Sequence, residues 1–383
     1  MTRPNPSQPV DERFLALQPP TINTAPGPEY ADDTRLWQGI PGIERTHGGR
    51  LYAAWYSGGD TEGPDNYVAL AKSDDNGASW SAPVVVVAPD GPIRAYDEAL
   101  WTDPLGRVWL FWAQAHTFYD GRAGVWATVT ANPDDDTPTW SPARRLADGI
   151  MLNKPIVLST GEWLMCPSVW INHGNVAFDP APADLAAHTG THVTVSTDSG
   201  DTWELRGTAN VPKEISTFDE HMVIERRDGS LWMLIRVEGG IAESTSSDGG
   251  RTWSPVHMSG IHSAVSRFFL GRLSTGELLL VKHTQPDGSL NRSHLAAHLS
   301  TDDGATWSDG LLLDEREGVS YPDAVEAPDG TICVIYDYNR YSDRLILMAT
   351  FTRDDVAAGT GVSPAFRTAV KVNQATRPRP EAD

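Results

Sequence analysis

Apolar residues along this chain cluster in short runs, rich in aromatic and branched side chains, and six of these runs follow a turn glycine. Another apolar run of strand length precedes each glycine. Two such runs joined by a glycine-containing turn are typical of a β-hairpin. Successive glycines are 47 to 68 residues apart, which leaves room for about four strands per unit. The six glycines are Gly49, Gly106, Gly161, Gly229, Gly276 and Gly330.

A second repeat, S-x-D-x-G-x-[TS]-W, lies downstream of four of the hairpins. In such a unit Ser and Asp accept hydrogen bonds from a turn backbone, Gly takes a positive φ, and Trp packs on the sheet. The copies are Ser73–Trp80, Ser196–Trp203, Ser246–Trp253 and Ser300–Trp307. Only a remnant, Thr137–Trp140, follows the second hairpin, and no copy follows the sixth.

Repeats with a period near 50 residues indicate propellers or solenoids. Six hairpins, each with room for two further strands, predict an all-β chain folded as a six-bladed β-propeller. Two β-sandwiches in tandem are disfavoured because the spacing is uniform and no linker-like stretch interrupts it. The expected organisation is a tail over 1–25, the propeller over 26–365 and a second tail over 366–383, with either tail a candidate for the outer strand that closes the ring.

Composition limits the partners of this protein. A net charge of −21 argues against a nucleic-acid partner, because no broad basic surface is available to neutralise phosphates. No apolar run approaches the roughly 18–20 residues of a membrane span. The N-terminus lacks the basic and apolar segments of a secretion signal, so a cytoplasmic location is expected. Cys166 and Cys333 lie in apolar runs, which predicts two buried free thiols.

The register of the hairpins selects candidate site residues. In a propeller the innermost strands line a central channel, and one mouth of that channel is the natural ligand site. Four of the six positions nine residues before the turn glycines are ionisable, where a structural strand would carry Val, Ala or Gly. The six residues are Ile40, Asp97, Leu152, Glu220, Arg267 and Tyr321, with Glu98, Lys154 and Asp323 beside them. The pattern therefore predicts a polar substrate site.

Tyr321 and Glu220 form the predicted catalytic pair. A tyrosine is a poor nucleophile near its ordinary pKa of about 10, and a carboxylate on another blade would remove its proton. Arg236 and Arg292 are expected to hold a planar carboxylate in two-point fashion.

A loop over 57–66 carries three more carboxyl groups. It is read either as a solvated turn or as a mobile segment that supplies the general acid, with Asp60, Glu62 and Asp65 as candidates. His221 is expected to hydrogen-bond the substrate. No metal-ligand spacing, Gly-rich phosphate loop or G-x-S-x-G motif occurs, so neither a metal nor a cofactor is expected.

With these motifs the chain resembles the sialidase (neuraminidase) superfamily, whose members are six-bladed propellers with such "Asp box" repeats. The resemblance covers roughly residues 35–352. It implies that Tyr321 is the nucleophile, that Glu220 and Arg236 are its partners across a turn, and that Arg292 precedes a box as a binding arginine. An acid/base aspartate after the first hairpin corresponds to Asp65, and less well to Asp60.

Two positions depart from the family pattern. The family's N-terminal Arg-Ile-Pro motif reads Gly39-Ile40-Pro41 here, so one of three carboxylate-binding arginines is missing, and Arg35 or Arg267 is the expected replacement. The acidic residue after the last hairpin, usually Glu, is Asp337.

The main hypothesis is a sialidase-like exo-glycoside hydrolase that cleaves a terminal, anionic or otherwise polar sugar from a saccharide. In this hypothesis Tyr321 attacks the sugar, Glu220 takes the proton of Tyr321 and Asp65 is the acid/base. The remaining polar candidates are expected to contact the substrate; they are Arg236, Arg292, Arg267, His221, Asp97, Glu98, Lys154 and Asp323. The alternatives are a lyase acting on a uronate-containing saccharide through Tyr321, His221 and an arginine, and a non-catalytic carbohydrate-binding propeller.

Overall fold

The computed structural model describes residues 11–117, 119, 121–170 and 189–379. Its described part contains six antiparallel sheets, taken in chain order, which confirms the predicted six-bladed propeller. Three short 3-10 helices precede the first inner strand, at Glu12–Leu17, Pro28–Tyr30 and Asp32–Thr34. A single α-helix, α1, spans Arg353–Ala358 in the described residues. None of the helices in these ranges is long and apolar enough to cross a membrane.

The first three sheets are built from the first half of the chain. The first contains β1 (Ile22–Asn23), β2 (Gln38–Arg45), β3 (Leu51–Ser57), β4 (Tyr67–Ser73) and β5 (Val85–Val87). The second contains β6 (Ile93–Thr102), β7 (Val108–His116), β8 (Gly124–Thr130) and β9 (Arg144–Asp148). The third contains β10 (Ile156–Val157), β11 (Trp163–Met165), β12 (Ser168–Val169), β13 (Gly190–Ser196) and β14 (Glu204–Ala209).

The last three sheets each contain four strands in sequence order. The fourth contains β15 (His221–Glu225), β16 (Leu231–Val237), β17 (Gly240–Ser246) and β18 (His257–Met258). The fifth contains β19 (Phe269–Arg272), β20 (Leu278–His283), β21 (Leu295–Ser300) and β22 (Leu311–Asp314). The sixth contains β23 (Val319–Glu326), β24 (Thr331–Tyr338), β25 (Leu345–Thr352) and β26 (Arg367–Gln374).

Both predicted domain boundaries need correction. β26 was assigned to the C-terminal tail, but it pairs with β25 and is the outer strand of the sixth sheet. β1 was assigned to the N-terminal tail, but it pairs with β5 at the outer edge of the first sheet. An outer strand follows a long connection and has one neighbour only, so the hairpin repeat carries no signal for it.

Alternating side chains of the second strands hold neighbouring sheets together. In β3, Tyr52 and Tyr56 pack toward the second sheet, whereas Leu51 and Trp55 pack toward the sixth. This is the period of two expected of a strand buried on both faces. Six apolar clusters of this kind fill the six spaces between consecutive sheets and close the ring.

The turn glycines and the boxes adopt the predicted conformations. All six glycines have a positive φ, between 80° and 99°. In each box the serine hydroxyl donates to the aspartate, which also accepts from the Thr or Ser two residues after the glycine; for Ser300 and Asp302 the first distance is 2.8 Å. These hydrogen bonds lower the pKa of Asp302 to about 2.

The two sheets without a full box use related turns. Asn132 takes the aspartate position in the second sheet and accepts from Thr130 and Thr139. In the sixth sheet, where no copy was expected, Asp355 accepts from the hydroxyls of Thr352 and Ser363. The eight-residue pattern missed both because α1 and a longer insertion separate the partners in sequence.

Candidate functional site

A cavity of about 340 Å³ opens where the inner strands of several sheets converge. Such a volume lies within the roughly 300–1,000 Å³ typical of small-molecule sites. Polar and charged side chains supply most of its wall. Its lining residues are Ile40, Glu62, Arg94, Asp97, Trp170, Phe218, Glu220, Arg236, Arg292, Gly318, Ser320, Tyr321, Asn339, Arg340 and Tyr341.

Backbone bulges direct three of these side chains into the cavity. Ile40, Asp97 and Tyr321 have φ values of 57°, 48° and 55°, in the left-handed region that non-glycine residues rarely adopt. At each of them the pairing between the first two strands of the sheet shifts register. A bulge bends its strand and re-aims one side chain without ending the sheet. The predicted equivalence of these positions therefore has a common structural cause.

Tyr321, Glu220 and Arg236 form a hydrogen-bonded triad in the cavity. The Tyr321 hydroxyl donates to Glu220 Oε1 at 3.2 Å, and Arg236 Nη1 donates to the Tyr321 oxygen at 2.7 Å and to Glu220 Oε1 at 2.5 Å. All three side chains are buried. Burial raises the pKa of Tyr321, Arg236 opposes this effect, and Glu220 adds to it. The phenol is therefore neutral at rest, and its oxygen lies between a base and a cation.

The fourth sheet places Glu220 and Arg236 opposite each other. The backbone N–H of Arg236 in β16 donates to the Glu220 carbonyl at 2.7 Å, which continues the β15–β16 ladder by one residue. Asp219, with φ 46°, turns the chain into this strand and accepts from Ser216 Oγ at 2.6 Å. The triad thus rests on a regular hairpin rather than on a loop.

Three guanidinium groups surround the Tyr321 ring on the cavity side. The distances from the guanidinium carbons to the ring centroid are 4.4 Å for Arg340, 5.2 Å for Arg292 and 5.9 Å for Arg236. Arg292 is held by the Val265 carbonyl at 3.0 Å. Arg236 and Arg340 are paired with carboxylates of the protein, whereas the partly exposed Arg292 donates to a carbonyl. The arrangement is suited to a ligand that carries a carboxylate.

Arg340 fills the space left by the glycine at position 39. A Cβ added to Gly39 would lie 2.5 Å from Cδ and 2.8 Å from Cγ of Arg340. The stem of Arg340, from the loop after β24, thus lies where a side chain from β2 would begin. Asp337 orients it, accepting from Arg340 Nε at 2.8 Å and from the Ile40 N–H at 2.8 Å.

Aromatic residues form another part of the cavity wall. Trp170 and Phe218 meet edge to face with ring centroids 5.0 Å apart, and the Arg236 guanidinium lies 5.0 Å from the Phe218 centroid. Tyr341 stands half exposed at the rim. Flat apolar surfaces of this kind pack against the faces of sugars and similar rings.

Asp97 completes the cavity from the second sheet. Burial raises its pKa to about 7, and the nearby carboxylates of Glu220 and Glu62 add to this effect against the opposing charge of Arg94. Arg94 stacks on the Tyr96 ring at 3.6 Å and donates to Asn66 Oδ1 at 3.3 Å. Near neutral pH, Asp97 is therefore able to donate or accept a hydrogen bond.

The family model for the BNR repeat-like domain matches residues 49–334 of this chain, about three quarters of its length. The chain belongs to the BNR repeat-like family. A curated sialidase from Bacteroides fragilis (strain YCH46) is 23% identical over 339 residues, which cover 80% of this chain and 61% of that protein. The chain thus spans less than two thirds of the length of this relative.

Solved structures show the same fold. The Hadza microbial sialidase Hz136 superposes with a TM-score of 0.65 at 19% identity, covering 85% of this chain and 68% of that one. The intramolecular trans-sialidase from Ruminococcus gnavus, solved with oseltamivir carboxylate, superposes with a TM-score of 0.62 at 15% identity. The superposition covers 86% of this chain and 96% of that one. The resemblance to the sialidase superfamily of BNR-repeat proteins is confirmed.

Several residues predicted for the site of this BNR-repeat protein lie elsewhere. Arg267 does not line the cavity, because its guanidinium donates to the carbonyls of Pro41 at 2.5 Å, Leu152 at 2.9 Å and Tyr321 at 2.7 Å. Converging inner strands leave carbonyls without ladder partners, and a buried arginine satisfies three of them. Arg267 is therefore a structural residue of the ring axis, not a replacement for the missing arginine.

Lys154 and Asp323 also belong to the axis. Lys154 Nζ lies 3.0 Å from Asp323 Oδ2 and 3.1 Å from Glu44 Oε2, and Asp323 also accepts from the Ile43 N–H at 2.8 Å. Glu98 is fully buried outside the cavity lining, and burial raises its pKa well above the usual range. Lys154 and Asp323 thus link strands of the ring axis, and Glu98 lies outside the cavity.

His221 and Arg35 are likewise committed to the scaffold. His221 Nε2 lies 2.8 Å from the His192 carbonyl, and burial lowers the pKa of the ring to about 4. Arg35 pairs with Asp32 and donates to Asn373 Oδ1 at 2.7 Å. Neither residue reaches the cavity.

The loop after the first hairpin contributes Glu62 instead of Asp65. Asp65 and Asp60 are exposed, whereas Glu62 lines the cavity and pairs with Arg340 at 3.1 Å. Asn66 closes the loop by donating to the Gly58 carbonyl at 2.8 Å, and this turn points residue 62 inward. In the described ranges no group of three or more His, Cys, Asp or Glu side chains is arranged to hold a metal. Both cysteines are buried and free, as predicted.

Proposed function

We propose that this protein is a sialidase-type exo-glycoside hydrolase that removes a terminal sugar bearing a carboxylate. The observation that carries the proposal is the hydrogen-bonded triad of Tyr321, Glu220 and Arg236 inside a cavity that three guanidinium groups share. The fold alone is compatible with binding proteins, so the proposal depends on these side chains.

The proposed reaction begins with attack of the Tyr321 oxygen on the anomeric carbon while its proton passes to Glu220. Removal of that proton is required, since burial keeps the phenol neutral. The bond to the leaving oxygen breaks as a loop carboxyl group protonates that oxygen. The glycosyl-tyrosine is then hydrolysed by water that the same group activates, which regenerates the phenol.

Glu62 takes the acid/base role in this scheme. It is the loop carboxyl group that lines the cavity, whereas the side chains of Asp60 and Asp65 point to solvent. The substrate carboxylate is assigned to Arg236, Arg292 and Arg340. Arg340 thus replaces the arginine that position 39 lacks, which supports an anionic substrate despite the departure from the family motif.

The lyase alternative combines Tyr321, an arginine and the imidazole ring of His221. That ring lies outside the cavity and is bonded to a carbonyl, so the described residues offer less support for proton abstraction beside a uronate carboxylate. The products distinguish the two reactions, because a lyase releases an unsaturated sugar that absorbs in the ultraviolet.

A panel of aryl sialosides, uronides and neutral rhamnosides tests the proposal through release of the phenol. We expect turnover of at least one carboxylate-bearing glycoside, and a loss of kcat/KM of about 100-fold or more for Tyr321→Phe. Tyr30→Phe, outside the cavity lining, is the matched control and should change little. Full activity of Tyr321→Phe would show the roles to be wrong, and ligand binding without turnover would indicate a binding protein.

A further inference from the structure

Arg340 is held by three acceptors of different kinds. Nε donates to Asp337 Oδ2 at 2.8 Å and Nη2 to Ser320 Oγ at 3.0 Å, and both partners belong to the sixth sheet. Nη1 instead meets Glu62 Oε1 at 3.1 Å, on a loop of the first sheet. Two contacts therefore fix the stem and plane of the guanidinium, and the third closes its cavity-facing edge.

Glu62 is the partner that is easiest to remove. The Asp337 side chain is fully buried at 0% exposure, whereas that of Glu62 is 24% exposed. The glycines at 58 and 59 have φ values of 97° and 65°, and residues 60, 61, 64 and 65 between them and Asn66 are exposed. The Asn66 side chain holds the backbone on both sides of residue 62, so the Glu62 side chain can rotate away from Arg340 while the loop stays in place.

We propose that the Glu62 carboxylate occupies the place on Arg340 that the substrate carboxylate takes. Arrival of the substrate then exchanges one carboxylate for the other and releases Glu62 toward the leaving group. This inference rests on the proposed function and deepens it, because it makes delivery of the acid depend on the anionic group of the substrate.

The exchange explains how one residue serves two purposes. A carboxyl group paired with a guanidinium is the ionised form, which has no proton to donate. Once released from Arg340, Glu62 takes up a proton from solvent. That proton then passes to the glycosidic oxygen as the bond to the anomeric carbon breaks, and Glu62 leaves this step as a carboxylate ready to activate water.

Binding of a cyclic carboxylate separates this exchange from ordinary ligand contact. The probe is oseltamivir carboxylate, with its ethyl ester, which keeps the amine but lacks the carboxylate, as the comparison compound; both are titrated by calorimetry into the intact protein. Because Glu62 competes with the probe, Glu62→Gln should bind the carboxylate about two- to fivefold more tightly, the range of a partly exposed ion pair. The ester should bind equally to both proteins, and the exposed neighbour variant Asp65→Asn should match the wild type.

Weaker or unchanged binding of the carboxylate by Glu62→Gln would overturn the exchange. Failure of the wild-type protein to prefer the carboxylate over its ester would instead overturn the anionic site of the proposed function. The two failures are therefore distinguishable.

Turnover provides the second readout. With the sugar kept constant, Glu62→Gln should slow aryl glycosides with poor leaving groups far more than those with good ones, since only the former need a proton. An equal loss for all leaving groups would show that Glu62 does not supply the proton.

Discussion

Exchanging residues 39 and 340 tests whether these two positions share one function. Arg340→Gly removes a guanidinium from the cavity. Gly39→Arg alone places a second arginine side chain into space that Arg340 already fills, because a Cβ at position 39 would lie 2.5 Å from Cδ of Arg340. The double variant moves the arginine to β2 while leaving one arginine in total. Gly39 itself does not have a positive φ, so the backbone accepts a side chain there.

The expected magnitudes follow from the contacts. Loss of one hydrogen bond between a guanidinium and a carboxylate costs about 1.5–3 kcal/mol, or roughly ten- to hundredfold in KM for a carboxylate-bearing glycoside. Arg340→Gly also leaves Asp337 buried with two remaining donors, Ser320 and the Ile40 N–H. We therefore expect a stability loss of about 3 kcal/mol, which must be measured beside the kinetics.

The assay is a double-mutant cycle on kcat/KM. Wild type, both single variants and the double variant are compared on an aryl glycoside and on the methyl ester of the same compound, with urea unfolding as the control for fold. The double variant should recover a large part of the carboxylate activity that Arg340→Gly loses. The ester should lose no activity when the arginine is removed, because it brings no carboxylate for that group to hold.

Additive effects of the two changes would refute the shared function, because coupling is the signature of residues that substitute for each other. Equal losses for the carboxylate and its ester would refute the anion-binding role of Arg340 even if the cycle showed coupling.

Two further predictions concern buried charges. The pKa of Asp97 is raised in the folded state, so its contribution to stability is present below pH 4 and is lost as the pH rises toward 7. The Asp97→Asn variant should therefore gain stability relative to the wild type over this pH range, as measured by urea midpoints. A stability difference that does not change with pH would contradict the assignment. Lys154→Met leaves the buried carboxylates of Glu44 and Asp323 without their cation and should lower the free energy of unfolding by about 3–5 kcal/mol. The exposed control Lys371→Met should leave stability unchanged. A loss under about 1 kcal/mol for Lys154→Met would show that the axis does not need this charge.

The repeat made most of the fold predictable. Turn glycines and boxes recur at fixed places relative to the strands, so their register identified the inner strands and placed Asp97, Glu220 and Tyr321 in one ring. The register does not say how far along the channel a side chain points. Arg267 therefore shared its repeat position with Tyr321 but lies in the axis, where carbonyls need donors.

The missed residues lie outside the repeat. Arg340 lies in the connection between β24 and β25, and the corresponding connections of other sheets differ in length, so the hairpin register does not extend to it. Its sequence signal is the glycine at position 39. Trp170 and Phe218 precede or follow strands at irregular distances, so no periodicity marks them. Glu62 is one of three carboxyl groups that the sequence offers in its loop. The hydrogen bonds of Asn66 close the loop and direct Glu62 into the cavity, and composition alone does not reveal them.

The bulges of the inner strands have a consequence for changing specificity. At each one the ladder resumes after two residues whatever side chain the bulge carries, so these positions tolerate replacement without disturbing the pairing on either side. Ile40 is the member with no polar group, and a β-branched residue is poorly suited to a φ of 57°. Asparagine or glycine would fit that backbone better. Ile40 is, however, buried in the apolar cluster between the first two sheets, so a replacement that relieves the backbone there also gives up apolar contacts.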